Sequence, residues 1–106
     1  MKFSVLVTFD LKYCKKPEYT LVQNKLAEMG FCTTSHRSGL ELPSNTYLGV
    51  VDVDCHARLT DMAIASTQAV NEVYSELKAA TKDAQIESKI YAIASPYDLT
   101  KDSCSR

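Results

Sequence analysis

Asp10 closes an apolar stretch at residues 3–9, and a carboxylate at that point has two natural roles. It can supply oxygen to a divalent cation, or it can cap the loop that follows. His36 and Arg37 are adjacent; they suit phosphate contact and proton transfer near neutral pH, or simply two polar positions on an exposed strand. Lys12, Lys15 and Lys16 surround Tyr13. A basic loop holding an aromatic ring can take single-stranded nucleic acid by charge and stacking, and beside Glu18 it also reads as a solubilising loop. Asp52 and Asp54 are two apart and share a strand face, with no further carboxylate in register to complete a cation site. Cys55 and His56 are neighbours whose side chains diverge, so they do not make a nucleophile and its base.

Four cysteines stand at positions 14, 32, 55 and 104, with no CxxC pair. Zinc-ribbon and thioredoxin chemistry therefore have no support. Four cysteines allow three disulfide connectivities, but a reducing compartment predicts free thiols. P-loop, GxGxxG, GxSxG and HExxH motifs do not occur in the sequence. Lysine plus arginine number 12 and aspartate plus glutamate 13, a net charge of −1, which excludes strong general polyanion binding. The 106 residues are 45% hydrophobic and 24% charged, as in soluble globular domains. At this size roughly two-thirds of the surface is buried on folding, enough for one core. No stretch approaches the roughly 20 apolar residues of a membrane span, and the expected location is cytoplasmic.

The elements that must position these groups follow from periodicity. Phe3, Val5, Val7 and Phe9 alternate with Ser4, Leu6, Thr8 and Asp10, which predicts a strand with one buried face. Pro17 suits a helix start; Tyr19, Val22, Leu26 and Met29 form a helical stripe that Gly30 ends. A second strand is expected over residues 32–37, before the turn signature at residues 41–45. A third is expected over residues 46–53, with Gly49 marking a close backbone approach or a bulge. Thr60 or Asp61 can cap a second helix, whose stripe is Ala63, Ser66, Val70, Val73 and Leu77. A last strand spans residues 87–95 and stops at Pro96.

The expected order is βαββαβ, an α+β ferredoxin-like domain over residues 1–96 with a polar tail at 97–106. Two helices cover one face of a four-stranded antiparallel sheet. The other face, carrying Leu6 with Leu48 or Tyr47, is the expected homodimer surface.

The stretches VTFDL and LPSNTYLG, set in this order of elements, resemble the small CRISPR-associated adaptation nucleases and the virulence-associated protein D endoribonucleases. The resemblance implies a homodimer whose first-strand aspartates approach each other across the two-fold axis around a divalent metal. The matching position is Asp10, as catalytic and metal-binding residue, with Mg²⁺ or Mn²⁺ to polarise a phosphodiester. Lys12, Lys15, Lys16, His36 and Arg37 are then the candidates to hold nucleic acid. One aspartate, a second strand offering only Ser35, His36 and Arg37, and a net negative charge tilt the expectation towards a non-catalytic binding or scaffold factor. Such a factor could belong to a phage or mobile element and dock on a host or defence protein. The alternatives are the metal-dependent endonuclease itself and a small-molecule-binding regulatory domain.

Overall fold

The computed structural model of the protein describes residues 1–12 and 15–106. Tyr13 and Cys14, in the basic loop, lie outside the described residues. Strand β1 (Lys2–Leu11) is central, paired antiparallel with β2 (Thr46–Asp52) on one side and β3 (Ser88–Pro96) on the other. Helix α1 (Lys16–Glu28) joins β1 towards β2, helix α2 (Leu59–Asp83) joins β2 to β3, and a single 3₁₀ turn (Tyr97–Leu99) follows.

The alternation in β1 does what its pattern predicts. Phe3, Val5 and Val7 are fully buried, Phe9 and Leu11 nearly so, and all point at the helices. Val22 and Leu26 of α1 and Ala65, Ala69, Val73 and Leu77 of α2 complete the core. The α2 stripe is rotated from its expected position near the helix start, where Ala63 is exposed and Ala65 buried. Two alanines carry little hydrophobic signal, so the stripe is readable only from Val73 onward.

The chain leaves α1 through a Schellman motif. Gly30 sits at φ 84°, its N–H donates to the Ala27 carbonyl at 3.0 Å, and the Phe31 N–H donates to the Leu26 carbonyl at 3.0 Å. This exit delivers Phe31 into the core under β2. A Cβ at Gly49 would overlap the Phe31 ring, so the glycine marks a close approach.

The expected four-stranded βαββαβ sheet does not form. The sheet has three strands in the order β2-β1-β3, and the chain runs β-α-β-α-β. The segment expected as the second strand touches β2 through one residue: Cys32 exchanges hydrogen bonds with Leu48 at 2.8 and 2.9 Å. Beyond it the chain folds back on itself. Thr34 bridges Glu41, the Ser35 N–H reaches the Leu40 carbonyl, and the Leu42 N–H reaches the Thr33 carbonyl. Ser35 and Ser38 join hydroxyls, Ser35 Oγ accepts from the Ser38 N–H, and Gly39 takes φ 68°. Serine side chains compete with ladder bonds for the backbone, and a left-handed glycine reverses it. The β-branched Thr33-Thr34 pair is consumed by a tight hairpin.

Candidate functional site

Register fixes which side chains share the helix-free face. From β1 it carries Lys2, Ser4, Leu6, Thr8 and Asp10; opposite them stand Thr46, Leu48, Val50 and Asp52 on β2 and Lys89, Tyr91, Ile93 and Ser95 on β3. Leu48, Leu6 and Ile93 make one row straight across the sheet. Tyr91 is 59% exposed, Ile93 51% and Val50 42%. Tyr47 faces the core, so of the two residues expected on this face beside Leu6, it is Leu48 that lies there.

One end of this face is not bare. The hairpin at residues 33–42 leans over it, and His36 Nε2 lies 3.1 Å from Ser4 Oγ. The His36 ring meets Tyr97 edge-on with centroids 5.3 Å apart. The Arg37 guanidinium sits 5.9 Å over the same tyrosine and donates to the Thr100 carbonyl at 2.9 Å. The Thr100 hydroxyl donates to the Pro96 carbonyl and meets the Ser95 hydroxyl. Together these groups form a polar ridge over Ser4 and Ser95. Ser4 and His36 are within hydrogen-bond reach, as a nucleophile and base must be. Ser4 is only 4% exposed, however, so its hydroxyl cannot meet a substrate, and the pair holds the hairpin down.

Asp10 lies at the other end, exposed, with Lys89 opposite it on β3. The Tyr19 phenol of α1 lies 3.3 Å from both Asp10 Oδ1 and the Leu11 carbonyl oxygen, either of which can take its one proton, and accepts from the Leu11 N–H at 3.4 Å, which ties helix to strand end. A recess of about 300 Å³ beside it is lined by Asp10, Lys12, Glu87, Ser88 and Lys89. Lys12 Nζ is 3.8 Å from Glu87 Oε1. Two carboxylates sharing a recess with two ammonium groups are not a cation cage, since the lysines already offset the negative charge. Among the described residues no group of three or more His, Cys, Asp or Glu could hold a metal ion, so a single chain does not fit the cation that the resemblance implies.

The other basic candidates serve the start of α1. The Lys15 N–H donates to Glu18 Oε2 at 3.0 Å, closing the N-terminal turn. Lys16 is the first helical residue and is exposed. Asp10 and the His36–Arg37 pair stand at opposite ends of the face, since Ser4 under His36 is six residues from Asp10, roughly 20 Å along a strand. They do not form one centre within a chain. Ser4, Ser95, Tyr97 and Thr100 carry no sequence signal for their part in the ridge; long-range packing alone assembles them. Among the described residues electrostatics clearly perturbs one group: burial, and after it the charge of Glu41, raise the Tyr47 phenol above its usual value. Cys32, Cys55 and Cys104 are free thiols. Among the described residues no helix is long and apolar enough to cross a membrane.

Compared with family models, curated proteins and solved structures, the chain matches none.

Proposed function

We propose that the protein is a binding factor that works as a homodimer, with the helix-free face of its sheet as the contact surface. The observation that carries this reading is the apolar patch of exposed Ile93, Tyr91 and Val50 around half-buried Leu6, on a face that no helix covers; Leu48, in the same row, is already buried within the chain. Exposed apolar patches of this kind mark contacts. The accessible area supports it: 7033 Å², against roughly 5,900 Å² for a typical folded monomer of this mass. The polar tail accounts for part of the surplus. The molecule is a slab only 19 Å thick across its thinnest axis, the thickness of one sheet and one helix layer.

Sedimentation equilibrium across micromolar concentrations tests the reading. The native chain is expected to dimerise, and Ile93→Asp to sediment as a monomer with an unchanged circular dichroism spectrum. A native chain that stays monomeric throughout removes the dimer. A parallel incubation with RNA and DNA in Mg²⁺ or Mn²⁺ separates the nuclease alternative. Cleavage that disappears in Asp10→Asn would place the protein among metal-dependent endonucleases instead.

A further inference from the structure

We propose that the outer edge of β3 takes up an extended peptide as a fourth strand, antiparallel to β3, with the peptide's C-terminal carboxylate held by Lys78 and Lys82. The site lies on the border of the sheet, so it stands whether or not the open face closes on a second copy.

The phase of the hydrogen bonds shows which groups this edge offers. The Lys12 N–H donates to the Glu87 carbonyl at 3.0 Å. Bonded pairs alternate along an antiparallel ladder, so in this register Lys89, Tyr91, Ile93 and Ser95 turn their backbone N–H and C=O groups to β1. Ser88, Ile90, Ala92 and Ala94 turn theirs outward. At the opposite edge of the sheet the outward groups of Leu48 are taken by Cys32 at 2.8 and 2.9 Å. Among the described residues no hydrogen bond reaches those of Ile90, Ala92 or Ala94. No proline, charge or bulge interrupts residues 90–94. Such an edge is a template for another strand.

The edge ends at Ser88, where its chemistry changes. Lys78 of α2 reaches over it, and Nζ donates to the Ser88 carbonyl at 2.8 Å and to its hydroxyl at 3.3 Å. The carbonyl that would continue the ladder is therefore occupied. Beside it lies a recess of about 510 Å³ whose lining includes Lys78, Thr81, Lys82, Ile86, Glu87 and Ser88. Two ammonium groups against one carboxylate, itself 3.8 Å from the Lys12 ammonium, leave the recess positive. An ammonium has three donors; Lys78 uses two on Ser88 and keeps one for an anion.

Charge fixes the direction of the occupant. A peptide antiparallel to β3 arrives at Ser88 with its C-terminus, which brings a carboxylate to Lys78 and Lys82. A parallel peptide would bring its amino terminus, a like charge. Shape excludes a second copy from this edge. Helix α2 packs over β3, so copies joined edge to edge would set their α2 helices about one strand spacing apart, roughly 5 Å, where packed helices need 8–10 Å. An extended peptide carries no helix. One turn before Lys78 on the same face of α2, exposed Tyr74 offers its helix-side residues an apolar contact.

Nuclear magnetic resonance on the full-length chain tests the site. The probe is an N-acetylated heptapeptide of alternating valine and threonine with a free C-terminal carboxylate, and the control is the same peptide amidated. In the chain alone, the amide hydrogens of Ile90, Ala92 and Ala94 are expected to exchange much faster than those of Lys89, Tyr91 and Ile93. The acid peptide should slow the first three, and the amidated one should bind about two- to tenfold more weakly, the range for exposed ion pairs. Lys82→Ala should narrow that gap. Ala92→Pro removes one outward N–H and spares the ladder to β1; it should keep the native circular dichroism spectrum and lose the peptide. A peptide that leaves the three amides unchanged overturns the site. Equal affinity of the acid and amidated peptides overturns the carboxylate recess. Amides already slow in the chain alone, and slower at higher protein concentration, give the edge to a second copy and overturn the proposal.

Discussion

The hydroxyl of Ser4 and Nε2 of His36 stand 3.1 Å apart across 32 residues of sequence, and this bond fastens the hairpin at residues 33–42 onto the sheet. Ser4 is buried, so deleting its hydroxyl leaves the imidazole nitrogen without its partner at a partly desolvated position. Ser4→Ala is expected to cost about 0.5–1.5 kcal/mol, the net worth of one hydrogen bond with some exposure of the orphaned group. His36→Ala should cost a similar amount, and the double variant little more than either, because both singles break one interaction. Urea unfolding of the four proteins measures this. Full additivity would show that the two side chains act independently.

Gly49 and Phe31 make the second close relationship. The ring lies where a Cβ would stand, and it is pinned by the Schellman exit from α1 and by the core around it. Gly49→Ala is therefore expected to destabilise by about 1–3 kcal/mol through overpacking, with the ring or β2 displaced. Phe31→Leu in the same chain should recover part of that loss by opening space. Thermal melts of the two single variants and the double variant decide it. No rescue would locate the strain elsewhere.

Much of this fold is legible in the sequence where the signal is local. Phe3, Val5, Val7 and Phe9 alternate without interruption, and β1 forms with those residues inside. Pro17 and Gly30 bracket α1 because one sits where no N–H is needed and the other where φ is positive. The second strand was misleading because Thr33 and Thr34 carry strand propensity, whereas Ser35, Ser38 and Gly39 supply the bonds and the turn that fold them back. The ridge is illegible for a different reason. His36 reaches Ser4 and Arg37 reaches Thr100 across 32 and 63 residues, and no periodicity encodes a contact at that range. Asp10 was visible as a strand-end carboxylate, but its phenol partner on α1 and the lysines of its recess emerge only from tertiary packing.

The Tyr47 phenol gives a pH dependence of definite sign. Burial, followed by the charge of Glu41, raises its folded pKa above the ordinary phenol value of about 10. The unfolded chain ionises first, so folding favours the neutral phenol. The associated stability is fully present below about pH 10 and is lost as pH rises from there through the folded value. Tyr47→Phe cannot ionise, so its stability should fall less steeply than the native protein's as pH rises above about 10. Melting curves at a series of alkaline pH values read the difference. Parallel declines in the two proteins would remove Tyr47 from the alkaline transition.

The end of α2 repeats the Schellman geometry of α1 without its glycine. The Gln85 N–H donates to the Lys82 carbonyl at 3.0 Å, the Ile86 N–H donates to the Thr81 carbonyl at 2.8 Å, and Gln85 holds φ 58°. A side chain in the left-handed region costs roughly 1–2 kcal/mol, which glycine does not incur. Glycine loses more backbone entropy on folding, by roughly 0.5–1 kcal/mol. The balance favours Gln85→Gly by up to about 1 kcal/mol, a rise in Tm of a few degrees, roughly 4 °C per kcal/mol at this size. Gln85 is exposed, so no packing is lost with its side chain. Gln85→Val should move Tm the other way, because a β-branched residue fits the left-handed region worst. Melting the three proteins side by side tests the geometry directly, and a valine variant as stable as the glycine one would show that the backbone at this position is not left-handed in solution.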